Sequence, residues 1–177
     1  MRSDLTAASL DEFFENFGKL LKVETKIYIS GGASAVFHGW RDSSRDIDLK
    51  IIPDGEAFSC LAKIKEELQL NIELASPDDF IPAVPDWQKR CEFIKKVGKV
   101  EFYHFDFYTQ ALSKIERNFE RDLLDVKAML DSGLIEKAKL VSSFEDIQSE
   151  LIKYPAIDPD TFKKSLSDFL QPTSQAS

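Results

Sequence analysis

The sequence predicts an α+β fold, a small mixed β-sheet of about five strands with helices after it. Three observations predict it. Short apolar or alternating segments recur between glycine- and proline-bearing turns, at residues 26–30, 46–52, 71–75, 91–97 and 100–107. Apolar stripes of helical period lie between the early segments and fill the chain beyond residue 108. Gly98-Lys99 separates two alternating segments by two residues, the spacing of a hairpin, so the sheet gains two antiparallel strands.

Taken in order, Ser9 is a plausible N-cap with Glu12 three residues on, and Leu10, Phe13, Phe14, Phe17, Leu20 and Leu21 follow at helical spacing, giving a first helix over about residues 10–22. Ile27 and Ile29 flank Tyr28 in a strand that ends at Gly31-Gly32, and residues 33–39 read as a short helix. Asp46 to Ile52 alternates until Pro53-Asp54-Gly55 stops it. Ala57, Leu61, Ile64 and Leu68 form the stripe of an amphipathic helix. Asn71 to Ala75 is a third strand, and Pro77, Pro82 and Pro85 make the next stretch irregular. After the hairpin, Leu112, Ile115, Phe119, Leu123, Val126 and Leu130 line one long helix or two abutting ones, ended at Gly133. The tail carries two more modest helices. A single domain, 1–177, is expected, with residues 109–177 as a helical part packed on the rest.

Composition sets bounds on function. Apolar residues are 43% and charged residues 31%, with 14 phenylalanines, which suits a folded soluble chain. The net charge of -8 argues against broad, non-specific contact with a phosphate backbone, which needs clustered lysine and arginine. Cys60 and Cys91 lack metal spacing and read as buried thiols in a reducing compartment. No segment has the length and apolarity of a membrane span or a secretory signal, so the expectation is a cytoplasmic protein with no membrane partner.

The residues that carry chemistry are Gly31-Gly32-Ala33-Ser34 and Arg45-Asp46-Ile47-Asp48-Leu49. On a strand, Asp46 and Asp48 project from the same face and bring two carboxylates to one or two hard cations. Backbone N–H groups at Gly31, Gly32 and the start of the next helix are placed to hold phosphate oxygens. D-x-D also occurs on solvated strands, where it is only a polar face. Glu73, between Ile72 and Leu74, is the candidate third carboxylate, with Glu101 and Asp106 as fallbacks for the same role. The alternative for Glu73 is an exposed strand residue. His38 and His104 have no i, i+4 partner and read as helix-packing and strand-surface residues, and Trp40 and Trp87 as packing.

Strand, Gly-Gly-Ala-Ser, helix, Arg45-Asp46-Ile47-Asp48-Leu49, helix and Ile72-Glu73-Leu74, in that order, resemble the nucleotidyltransferase superfamily with the DNA polymerase beta-like catalytic core, over roughly residues 25–108. The resemblance implies an NTP substrate with its triphosphate positioned by Gly31, Gly32 and Ser34, and two Mg²⁺ ions held by Asp46, Asp48 and Glu73. Two departures stand out. The third acid is Glu where Asp is more usual, and Ser43-Ser44-Arg45 precedes the aspartates where many relatives carry threonine. Arg41 and Arg45 either contact phosphate or pair with the aspartates.

Beyond the core, Lys114 followed by Arg121-Asp122-Leu123-Leu124-Asp125 resembles the branch of abortive-infection-type toxins and related uncharacterised bacterial proteins. On one continuous helix Lys114, Asn118, Arg121 and Asp125 form a polar stripe. It is either a solvated face or, as the resemblance implies, a place where Lys114 neutralises triphosphate charge and Asp122 or Asp125 orients it or acts as a base. The resemblance further implies transfer of NMP to an RNA or protein acceptor, in a toxin–antitoxin setting with an antitoxin-like protein partner. The alternative is a catalytically inactive nucleotide-binding or protein-interaction module with the same fold, and a third is a plain structural domain.

Overall fold

The computed structural model describes residues 1–172. They form an α+β protein that divides into two compact units, one of residues 1–76 and 88–106, the other of residues 77–87 and 107–172. The first unit holds α1 (Ala7–Leu20), β1 (Thr25–Ser30), α2 (Gly32–His38), β2 (Asp46–Ile52), α3 (Gly55–Leu68), β3 (Asn71–Glu73), β4 (Glu92–Val97) and β5 (Val100–His104). Its mixed sheet has the order β3-β2-β1-β5-β4. β1 runs antiparallel to β2 and parallel to β5, β3 runs parallel to β2, and β4 runs antiparallel to β5.

Strand parity assigns the two faces. Ile27, Ile29, Ile47, Leu49, Ile51, Ile72, Val100 and Phe102 point to one side and join Leu10, Phe13, Phe14 and Phe17 of α1 and Ala57, Leu61 and Ile64 of α3 in one buried core. Phe102 is its centre, with the Phe14 ring at 4.8 Å and the Phe13 ring at 6.1 Å. Truncating such a ring costs about 3–5 kcal/mol. The alternate residues, Tyr28 and Ser30, Asp46, Asp48 and Lys50, Asn71 and Glu73, Glu101 and Tyr103, face the other side.

α1 begins earlier than the periodicity suggests. Thr6 is the N-cap and Ser9 is the third helical residue, the two closing a capping box. Leu5, just upstream, is fully buried and bridges to Ser44 through two backbone hydrogen bonds. Nothing in the local pattern of residues 1–6 announces that contact.

The second unit holds α5 (Phe107–Arg117), α6 (Glu120–Asp131), α7 (Lys137–Ile147), a 3-10 segment (Gln148–Lys153) and α8 (Pro159–Leu170), preceded by a 3-10 turn at Pro77–Asp79; α4 (Trp87–Arg90) joins the two units. Of the two alternatives for residues 112–130, the chain takes two helices, and it breaks at Asn118, whose φ of 59° is left-handed. α5 starts at Phe107, five residues before Leu112, because β5 already ends at His104, short of the residue 107 expected for that strand, and its buried stretch from Phe107 through Ile115 includes the polar Thr109, Gln110, Ser113 and Lys114. Among the described residues, no helix is long and apolar enough to cross a membrane. Cys60 and Cys91 are free thiols, each half-buried.

Candidate functional site

β2 sets the site. Ile47, Leu49 and Ile51 enter the core, so Asp46 and Asp48 stand half-buried on the opposite face. β3 pairs with β2 in parallel, Asp46 opposite Asn71 and Asp48 opposite Glu73, which puts Glu73 on the face of the two aspartates. The side chain of Glu73 is exposed. Parity read from Ile72-Glu73-Leu74 alone indicates the direction; the adjacency of β3 to β2 comes from the fold.

Asn71 connects these carboxylates. Its amide nitrogen donates to Asp46 Oδ1 and, at 3.3 Å, to Glu73 Oε1. Its own oxygen accepts from Arg2 Nη1 at 3.1 Å, so the amide has a fixed orientation. Sequence reasoning missed this residue, and the available signal was its place two positions before Glu73 on the same strand face. Among the described residues, no three or more His, Cys, Asp or Glu side chains are grouped to hold a metal ion. In kind, however, three carboxylates on one sheet face are the hard oxygen donors that Mg²⁺ takes, and Asp46, Asp48 and Glu73 are the residues that would hold it.

The glycine pair has two distinct physical reasons. Gly31 is the N-cap of α2 at φ 61°, ψ -130°, a conformation that L side chains rarely adopt, and a β-carbon there would lie 3.0 Å from Asp48 Oδ2. The Asp48 carboxylate thus rests against the backbone at the start of α2. Gly32 is buried, and a β-carbon there would stand 2.0 Å from Ser44 Oγ and 2.7 Å from Ser44 Cβ, so close packing alone demands glycine. Ser34 is fully buried; its hydroxyl lies 2.9 Å from His104 Nδ1 and 3.4 Å from the Ile29 carbonyl oxygen, on the inner side of α2. Arg45 is exposed, and Arg41 Nη1 lies 3.5 Å from where a Gly32 β-carbon would be.

Both fallback acids have other partners. Asp106 is fully buried and takes two hydrogen bonds of 3.0 Å from Arg90, a fork-on-carboxylate pair. Glu101 accepts from the Tyr103 hydroxyl at 2.7 Å, which holds that phenol up at about 12. His104 is buried, contrary to a strand-surface role, because its parity on β5 turns it toward α2. Burial first, then the nearby His38, pushes its pKa down to about 3. Burial likewise lowers His38, whose ring stacks on Trp40 at 5.1 Å.

Lys114, Asp122 and Asp125 lie in the second unit and meet one another there. The break at Asn118 rules out the continuous polar stripe, yet the α5–α6 corner brings Lys114 Nζ to 2.7 Å from Asp125 Oδ2 and 3.2 Å from Asp122 Oδ1. Arg117 adds a 2.8 Å bond to Asp122. All three of Lys114, Asp122 and Asp125 are buried, which is not a solvated face. Lys114 and Arg117 balance the two carboxylates, as buried charge requires.

No curated protein and no solved structure matches the chain. Residues 8–159 match a family model described as a nucleotidyltransferase of unknown function (DUF6036), a span that takes in the glycine pair, the D-x-D strand, Glu73 and the Lys114 cluster. With the fold and the carboxylate face in accord with that description, the chain belongs to this nucleotidyltransferase family.

Proposed function

We propose that the protein transfers a nucleoside monophosphate from an NTP to a hydroxyl acceptor, on an RNA or a protein, with Mg²⁺ held by Asp46, Asp48 and Glu73. The observation that carries the reading is the register of two adjacent parallel strands, which sets Glu73 beside Asp48 and on the face of Asp46. In the reaction the acceptor oxygen forms a bond to the α-phosphorus, the bond to the bridging oxygen of the β-phosphate breaks, and pyrophosphate leaves with that electron pair. Bound Mg²⁺ would supply charge neutralisation on the phosphate oxygens. Asn71 fixes the Asp46 and Glu73 carboxylates in orientation, and Gly31 allows the chain to turn into α2 directly beside Asp48. The acceptor's proton leaves to a carboxylate of this face or to water. A toxin–antitoxin setting with an antitoxin-like partner belongs to the same proposal.

The test is incubation with Mg²⁺, each labelled NTP and total RNA or protein, comparing the wild type with Asp46→Asn/Asp48→Asn. Acceptor labelling and pyrophosphate release should disappear in the variant. Release that continues unchanged overturns the site. A second reading, a nucleotide-binding or interaction module without turnover, is favoured by the lack of a ready three-carboxylate metal group among the described residues. It requires an NTP-dependent thermal shift with no release under any condition.

A further inference from the structure

A cavity of about 500 Å³ opens on the sheet face that carries the carboxylates, toward the other end of β1. Lys26 and Tyr28 of β1, Lys96 of β4, Glu101 and Tyr103 of β5 line it, as does Lys99 of the hairpin turn. The register fixes its relation to the acids. Ser30 pairs with Asp48, Tyr28 with Lys50 and Lys26 with Ile52, so Tyr28 and Lys26 stand two and four residues along β1 from the level of Asp48. That is about 7 and 13 Å at the usual strand rise.

Three lysines gather at this one cavity in a chain of net charge -8. None of Lys26, Lys96 and Lys99 forms an ion pair with another described residue, whereas Lys95, beside them on β4, is held by Asp11 and Glu15. Three ammonium groups against the two carboxylates of Glu24 and Glu101 leave the concavity with an excess of positive charge, which attracts an anion. Of the two lining glutamates, Glu101 stands between Lys26 of β1 and Lys96 of β4 and accepts from the Tyr103 hydroxyl, and Glu24 stands beside Thr25 at the start of β1. Tyr103 adds a fixed ring. It stacks on Tyr28 with centroids 5.4 Å apart and planes 25° from parallel, and Lys26 Nζ lies 5.7 Å from its centroid. Point cations suit a phosphate and an anchored ring suits a base.

We propose that this cavity binds the acceptor as a terminal nucleotide unit, its phosphate among Lys26, Lys96 and Lys99 and its base against Tyr103. The inference rests on the nucleotidyl-transfer reading and deepens it by naming the acceptor's chemistry. A protein hydroxyl brings neither a phosphate nor a base, so the excess of lysines has no use with it. The acidic balance confines contact to an end and not a long RNA surface. The nucleotide unit comes from an RNA end or from a free nucleotide.

The experiment titrates the full chain, without Mg²⁺, with a fluorescein-labelled single-stranded hexaribonucleotide followed by polarisation, and with a nucleoside monophosphate by calorimetry. Lys26→Gln/Lys96→Gln/Lys99→Gln, all at exposed positions, should weaken binding at least tenfold. It should also flatten the dependence of log K on log salt by about 2, near 0.7 per lost contact. Tyr103→Ala should weaken binding more than Tyr103→Phe, which keeps the ring and loses only the hydroxyl that holds Glu101. Equal affinity for the monophosphate and the hexamer identifies a free nucleotide as the source, and preference for the hexamer identifies an RNA end; both support the cavity. Binding unchanged in the lysine variant overturns it, as does capture of a phosphoserine peptide with neither nucleotide nor RNA bound. Asp46→Asn/Asp48→Asn should bind the hexamer as the wild type does, so failure of the carboxylate site and failure of the lysine cavity are read from different variants.

Discussion

Replacing Gly32 by alanine separates a packing constraint from a phosphate-binding one. The new β-carbon would meet Ser44 Oγ at 2.0 Å and Ser44 Cβ at 2.7 Å, where ordinary contact begins at 3.4 Å. Ser44 has little freedom to retreat. Its N–H donates to the Leu5 carbonyl, its own carbonyl accepts from the Leu5 N–H, and its hydroxyl donates to the Asp46 carbonyl at 3.2 Å. Overpacking costs about 1–3 kcal/mol. Loosening the two backbone bonds at Ser44 adds about 1 kcal/mol each, and the lower chain entropy of alanine returns about 0.5–1 kcal/mol. The net loss is then about 2–4.5 kcal/mol, roughly 4–18 °C of melting temperature for a chain of this size. Far-UV circular dichroism melts measure it. Ser44→Gly in the same chain removes both clashing atoms and should restore most of the loss, while Ser44→Ala removes only the nearer one and should restore less. A Gly32→Ala protein that melts with the wild type, or a loss that Ser44→Gly leaves in place, refutes the packing account and returns Gly32 to a ligand-facing role.

Asn71→Ala removes the amide shared by Asp46 and Glu73; Mg²⁺ affinity measured by calorimetry should fall roughly 10–100-fold, and equal affinity refutes its positioning role. Lys114→Met removes the cation that buried Asp122 and Asp125 share and should cost about 3–5 kcal/mol in urea unfolding, so a wild-type unfolding curve would refute it. His104 has a folded-state pKa of about 3 against 6.5 unfolded, so between those values the unfolded chain holds the extra proton. Its contribution is complete above pH 6.5 and should be lost, at about 1.4 kcal/mol per unit, as pH falls. His104→Gln should remove that slope, and equal slopes in the two proteins refute the assignment.

Much of the first unit can be read from period and punctuation. Ile47, Leu49 and Ile51 alternate with Asp46, Asp48 and Lys50, and one buried face is enough to fix which carboxylates point away from the core. Gly98 at φ 59° makes the hairpin turn that the two-residue spacing indicates. The second unit was less legible because Phe105-Asp106-Phe107 continues the alternation of β5 past its end at His104, and because Asn118 fits the i, i+4 polar stripe of a continuous helix while its left-handed φ is what separates α5 from α6. Ser34 and His104 fall between these cases. Each is polar by type, yet each is buried because the other supplies its hydrogen bond across 70 positions of sequence.

The sequence by itself determined that two aspartates share a strand face and that a glycine turn precedes them, since both follow from local geometry. Only the tertiary structure decided which acid stands beside them. The parallel pairing of β3 with β2 puts Glu73 next to Asp48 and Asn71 next to Asp46, while Arg90 takes Asp106 and Tyr103 takes Glu101. Those choices depend on contacts between residues distant in the chain, and such contacts exist only once the sheet has closed on its core.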